Sequence, residues 1–364
     1  MVHAKHATHF SFYNPAKSFI FVTMENPILV EVNRGGLLES FHRGAVCVVN
    51  FKGEIVFELG NSMQMCYPRS AMKFVQVLPL VELGGIEKFQ FTEAELAVMC
   101  GSHNAESFHL DAVRSILQKI GLSEHELGCG AQYPSSKRDA NALVQTGTKP
   151  TAIHNNCSGK HAGMLALCKL LDYDTHNYLD PHHSIQQLIL TYVAEMYEWP
   201  ASKMICALDG CTAPIYSIPV YHQALCFKNL VHPIQFSDKR QEACKIVLKA
   251  ISNHPEMVAG THRYCTDLMK ETAPKIIGKT GAEGVFCMSF VAQKLGICIK
   301  IDDGKMLPQY NVAQAILEAS GLLNKEQEVK LHPYCTSELK NFNQLVTGEI
   351  RAKTELFTPI KLLF

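Results

Sequence analysis

The sequence predicts an α+β fold. Strand-like runs lie near both ends of the chain, helical periodicity fills the middle, and no Gly/Ser/Pro-rich linker separates them. The 364 residues therefore read as a single unit over 1–364. Its sheet lobe spans about 27–67 plus 276–364, and its helical lobe about 68–275.

The elements follow in order. Pro27-Ile28-Leu29-Val30-Glu31-Val32 alternates into a strand, and Gly44 to Asn50 is a second apolar run. Phe51-Lys52-Gly53-Glu54 supplies a turn, and Ile55 to Leu59 runs back as the second arm of a hairpin. Segments 70–83, 93–100, 105–119, 159–171, 183–197 and 239–252 space their apolar residues by three and four, as helices do. Gly284 to Met288 and Leu295 to Ile301 are strand-like, and Asp302-Asp303-Gly304 turns the chain after them. A helix near 311–321 and a short run, Gly348 to Arg351, close it.

Composition removes several classes of function. Lys+Arg and Asp+Glu are 34 each, so the net charge is zero and no nucleic-acid or anionic-membrane surface is expected. No run approaches the roughly 18 apolar residues of a membrane span. The start, Met1-Val2-His3-Ala4-Lys5-His6, lacks the layout of a signal peptide. The fourteen cysteines are scattered, and many sit in apolar runs, such as Cys47 and Cys298. They read as reduced core thiols of a cytoplasmic protein. The seventeen histidines form no metal-binding spacing such as HExxH.

Three strings carry possible chemistry. In Arg69-Ser70-Ala71-Met72-Lys73, a helix opening at Ser70 would bring Lys73 one turn later onto the same face. A neutral lysine there could take the serine proton. Alone, the string reads equally as a helix-capping serine with a surface lysine. Ser102-His103-Asn104 then forms an S-x-N pattern, and Lys279-Thr280-Gly281 forms a K-T-G triplet just before a strand. S-x-x-K, S-x-N and K-T-G occur in this order in serine β-lactamases and penicillin-binding proteins. The expectation is two Ser-Lys pairs facing one pocket, Lys73 with Ser70 and Lys279 with Ser102. Crowded ammonium groups lower each other's proton affinity, so one could act as a base near pH 7.

The third string, His154 to Gly163, contains Cys157-Ser158-Gly159-Lys160-His161 at a helix start, where a thiol is acidified. Leu208-Asp209-Gly210-Cys211 enters a tight turn. Two cysteines brought together with a lysine or a histidine could hold one Zn²⁺. A glycine-rich helix start beside two buried thiols is the plainer reading.

Together these strings resemble the Rhizobium etli-type (class 3) L-asparaginases. The matching pieces are Arg69-Ser70-x-x-Lys73, Gly101-Ser102-His103, Asn156 to Met164, Asp209-Gly210-Cys211, Tyr264-Cys265 and Lys279-x-Gly281-Ala282-Glu283-Gly284. Val32 to Gly36 and His42-Arg43-Gly44 resemble the family's first strands. The resemblance runs from about residue 28 to 352, departing at Phe74, where the family often has proline.

It implies a glutaminase / serine β-lactamase-like fold and a homodimer. It implies Ser70 and Ser102 as candidate nucleophiles, paired with Lys73 and Lys279. It implies Zn²⁺ on Cys157, Lys160 and Cys211, with Asp209 beside it and counted among the catalytic residues. Arg69, His161 and Cys265 would lie near the substrate. The expected reaction is hydrolysis of L-asparagine to L-aspartate and ammonia through an acyl-enzyme, with Ser70 preferred as nucleophile. The alternatives are a glutaminase, another serine amidohydrolase such as a β-lactamase or peptidase, and a non-catalytic zinc or thiol sensor.

Overall fold

A computed structural model describes residues 25–363 of the protein. The reading of Met1 to His6 as lacking an export signal concerns residues outside that range.

The chain begins with β1 (Ile28–Arg34), which reverses at Gly35-Gly36, both at positive φ, into β2 (Leu37–Val49). β2 begins seven residues before the apolar run that marked it in the sequence. Its first half, Leu37 to Arg43, pairs with β1 and is largely exposed, so no apolar pattern betrays it. Its second half, Gly44 to Val49, is mostly buried between β3 (Ile55–Leu59) and a strand from the far end of the chain. The turn before β3 forms as expected: the Asn50 side-chain oxygen accepts from the Lys52 and Glu54 amides, and Gly53 takes positive φ.

The far end contributes β4 (Ile276–Gly281), β5 (Val285–Phe290), β6 (Leu295–Ile301), β7 (Thr336–Lys340) and β8 (Val346–Ala352). The antiparallel sheet runs β7-β8-β1-β2-β6-β5-β4, with β3 added beside β2. Every residue of β4 and β5 is buried, so both faces of these strands are covered. That explains the nearly continuous apolar run of β5. Helices Val220–Val231 and Met306–Ser320 pack on the sheet.

Lys279-Thr280-Gly281 stands just before a strand, β5, as expected, and is itself the end of β4, a strand the sequence did not show. A buried lysine and two glycines within six residues hide the strand from pattern reading.

The middle of the chain is mainly helical. Arg69–Met72 forms a 3-10 turn that continues into helix Lys73–Gln76. Helix Glu93–Met99 starts at a reciprocal cap between Thr92 and Glu95. It is crossed closely by helix Ser158–Leu171, where a Cβ on Gly159 would lie 2.3 Å from the Val98 carbonyl oxygen. Helices Ser107–Lys119, Ser184–Met196 and Asp238–Asn253 lie where periodicity suggested. Helix Val220–Val231 was not legible, because it is buried almost all round and shows no stripe. Among the described residues no helix is long and apolar enough to cross a membrane.

Candidate active site

The two lysines of the sequence strings meet at one serine. Lys73 donates to Ser102 Oγ at 3.0 Å, and Lys279 reaches the same oxygen at 3.1 Å. Both lysines are 1% exposed and Ser102 is 8% exposed. Lys73 also donates to the Gly101 carbonyl at 2.5 Å, and Lys279 to the Thr280 carbonyl at 2.9 Å. Lys279 therefore meets Ser102 as expected, but Lys73 does not bond Ser70. The Ser70 hydroxyl has no hydrogen-bond partner among the described residues. Spacing brings Ser70 and Lys73 into neighbouring turns, yet the long lysine side chain reaches across to the Gly101-Ser102 backbone turn.

Burial is the main reason Lys279 holds its proton weakly, with a pKa lowered to about 7. The charges of Lys73 and Arg263 push the same way, and the Cys265 and Cys157 thiols oppose them. Near neutral pH a large fraction of Lys279 is thus a free amine, able to accept the Ser102 proton.

Local structure explains the convergence. Ser102 lies in an irregular segment, and its amide donates to the Val258 carbonyl at 2.7 Å. The His103 amide donates to the Asn156 carbonyl, and His103 Nε2 meets Ser158 Oγ at 2.9 Å. β4 brings Lys279 in from the opposite side. Its last residue must be glycine, since a Cβ on Gly281 would lie 2.3 Å from the Pro68 carbonyl oxygen. That close approach seats the K-T-G strand against the turn that carries Ser70.

Ser70 faces a cleft of about 480 Å³, lined also by Arg69, Gln132, Asn156, Cys157, Asp209 and Ala282. Arg69 adopts φ +52°, a left-handed conformation that costs energy for a non-glycine residue. Its guanidinium is held by Asp209 through two 2.8 Å contacts. Burial alone would raise the Asp209 pKa, but Lys160 and then Arg69 outweigh it and keep the carboxylate below its usual range.

The thiol group forms the other wall. Ligand atoms of Cys157, Asp209 and Cys211 all lie within 4.8 Å of one another. Lys160 Nζ is 3.0 Å from Cys211 Sγ. The two thiols are pushed apart: Cys211, ahead of Lys73 and Lys160, lowers the Cys157 pKa well below the usual thiol value against burial, and Cys211 is in turn pushed up. Burial opposes the Lys160 charge, but Cys157, Cys211 and Asp209 hold it as an ammonium. Two soft thiols, a carboxylate and an amine are a donor set that fits Zn²⁺, provided the amine gives up its proton.

His161 is fully buried and kept neutral, chiefly by burial and then by Lys160 and Lys73. Its Nδ1 meets the Tyr178 hydroxyl at 2.7 Å, while its Nε2 has no hydrogen-bond partner among the described residues. Cys265 lies one bond from the lysine site: its sulfur is 3.0 Å from Thr280 Oγ1, which also contacts the Tyr310 hydroxyl at 3.2 Å. Tyr310 and Arg263 were not singled out in the sequence, because no local string ties them to residues so distant along the chain.

Solved structures similar to the chain include a protein from Bacteroides dorei DSM 17855 assigned to the β-lactamases, at 10% identity over 71% of this chain and 84% of that one, with a TM-score of 0.41. A β-lactamase from Mycobacterium bovis matches at 12% identity over 76% and 94%, TM-score 0.37. The D-alanine carboxypeptidase AmpC from Burkholderia cenocepacia matches at 12% over 74% and 91%, TM-score 0.37. No curated protein sequence matches the chain. The sequence profile of L-asparaginase II matches residues 30–352, nearly the whole described chain, and the protein belongs to the L-asparaginase II family.

Proposed function

We propose that the protein hydrolyses the side-chain amide of L-asparagine to give L-aspartate and ammonia. The observation that carries this reading is a single buried serine, Ser102, hydrogen-bonded by two lysines behind a cleft that presents a second serine, Ser70. Such an arrangement suits moving a proton between the cleft and an amine that is partly neutral at pH 7.

In the proposed reaction Ser70 Oγ attacks the amide carbon and its proton passes through Lys73 and Ser102 to the neutral Lys279 amine. The Lys73–Ser70 hydrogen bond would form when substrate is bound, as catalytic hydrogen bonds often tighten only then. Ser102 and Lys279 relay a proton to the departing nitrogen, which leaves as ammonia. Water then opens the Ser70 ester, and the same groups take its proton. Backbone N–H groups at the first turn, beginning with Ser70 itself, are the donors offered to the oxyanion. Ala282 lines the cleft beside them.

Cys157, Lys160 and Cys211, with Asp209 beside them, would hold a zinc ion. Bound there, the ion would supply an anchor for the α-amino or α-carboxylate end of the substrate. Arg69, fixed by Asp209, would orient the same end. We extend the proposal to a homodimer, as the resemblance implies, and to the cytoplasm, since fourteen free thiols suit a reducing compartment.

The test is ammonia release from asparagine and glutamine alongside opening of a penicillin-type reporter. Turnover of asparagine well above the other two is the expected result. A preference for glutamine would make the protein a glutaminase, reporter opening a β-lactamase. No turnover of any, with stoichiometric zinc binding, would favour a sensor.

A further inference from the structure

Ser102 belongs to no helix or strand, so its position between the lysines depends on tertiary bonds. One strap, residues 258–263, supplies most of them. Val258 accepts from the Ser102 amide at 2.7 Å. Gly260, at φ +106°, lies so close that a Cβ there would be 2.6 Å from Asn104 Nδ2 and 2.7 Å from Glu106 Oε2. The Thr261 carbonyl accepts from Asn104 Nδ2 at 3.3 Å, and the Thr261 amide donates to Glu106 Oε2 at 2.8 Å. Arg263 closes the strap by donating to Asn104 Oδ1 at 2.7 Å.

The last contact is chemically unusual. Arg263 is half-buried, and among the described residues it has no carboxylate within ion-pair distance. Among the described residues its guanidinium has one hydrogen-bond partner, a neutral, buried amide. Any neutral donor could hold that amide, so a clamp alone does not call for a charge. Its positive charge weighs against protonation of the buried Lys279.

We infer that Arg263 is a positioning residue for the reaction, clamping Asn104 so that Ser102 stays between Lys73 and Lys279, and bringing a fixed positive charge to the strap that packs on Ser102. The inference rests on the hydrolase reading above. The groups facing Lys279 agree with it. Lys73 and Arg263 are its cationic neighbours, and the thiols of Cys265, Cys157, Cys100 and Cys287 surround it from the other elements. After burial and Lys73, Arg263 is the next influence that lowers its proton affinity.

Three variants separate clamp from charge. Arg263→Met removes both, Arg263→Lys restores the charge, and Asn104→Asp keeps the clamp while neutralising the guanidinium. In Arg263→Met and Asn104→Asp, kcat near pH 7 should fall about fivefold, because the rising limb of the pH profile moves up by about one pH unit. KM should stay within about twofold, and Arg263→Lys should return the limb toward its wild-type position. A second readout needs no substrate: NMR titration of the Lys279 amine, identified by its loss in Lys279→Met, should show the same upward shift. If wild-type protein hydrolyses no amide, the hydrolase reading fails, and the Lys279 titration still decides the role of Arg263. An unmoved Lys279 midpoint in folded Arg263→Met, or in Asn104→Asp if that variant alone folds, overturns the inference. So does a rise in KM with kcat and limb unchanged, which would make Arg263 a substrate-binding group.

Discussion

Ser70 and Ser102 share a neighbourhood and little else. Ser70 opens a 3-10 turn after a strained arginine, looks into the cleft and has a hydroxyl without a partner among the described residues. Ser102 sits in irregular backbone, is buried, and is held by two lysines. In the proposed reaction the first is the nucleophile and the second passes protons. The contrast shows what a spacing rule measures. Three residues apart on a helix makes Ser70 and Lys73 backbone neighbours, but the lysine side chain chooses its own partner.

The contrast is broken most sharply by exchanging the serines for alanine. Folded Ser70→Ala should lose about 10³-fold or more in kcat, the cost of removing a nucleophile. Ser102→Ala should lose about 10²-fold, the size of a proton-transfer contribution. An acyl adduct trapped on Ser102 would reverse the two roles.

A smaller effect follows from Lys279. Burial lowers its pKa to about 7, and the proposed reaction uses the neutral amine. As pH drops, the free-amine fraction and with it kcat should fall about fivefold from pH 7 to 6 and about tenfold from 6 to 5. Above about pH 8 the profile should flatten. A rate independent of pH between 5 and 9, with chemistry limiting, would remove the lysine base.

The thiol wall should matter less to the maximal rate. Protein purified without chelator is expected to carry up to about one zinc per chain, falling sharply in Cys157→Ser. Occupancy should weaken as pH falls, because Lys160 is held as an ammonium and must release its proton to ligate. Stripping the metal should raise KM several-fold more than it lowers kcat; loss of turnover at saturating asparagine would put zinc in the chemistry instead.

The smallest expected effect on rate is Gly281→Ala. The added Cβ would lie 2.3 Å from the Pro68 carbonyl oxygen, so the strand end must shift away from the Ser70 turn. Thermal denaturation should report a loss of about 1–3 kcal/mol, the usual cost of overpacking, with a few-fold drop in kcat. Unchanged stability would mean that the strand is free to move and does not seat the turn.

How far the sequence reached follows from the range of each interaction. Amphipathic helices such as Ser107–Lys119 were legible, since one face is wet and the other dry. Helix Val220–Val231 has no wet face to read, and strand residues Leu37 to Arg43 have little buried pattern to alternate. In the site, the strings around Ser70, Ser102, Cys157, Cys211 and Lys279 were visible because each is local. Their pairing was legible only in part: Lys279 meets Ser102 as expected, but Lys73 meets Ser102 across 29 residues and Arg263 meets Asn104 across 159, neither foreseen. Such contacts belong to the packed chain and leave no periodic trace.

The cysteines have a practical consequence. All fourteen are free, and none is more than 8% exposed. A colourless thiol reagent that develops colour on reaction should therefore reach at most the cleft-lining thiols on intact protein and report up to fourteen equivalents once the chain opens. The molecule carries its own stoichiometric dye counter for unfolding, spread from Cys47 in the sheet to Cys335 near the end of the chain. The order in which those equivalents appear would map which part of the structure lets go first.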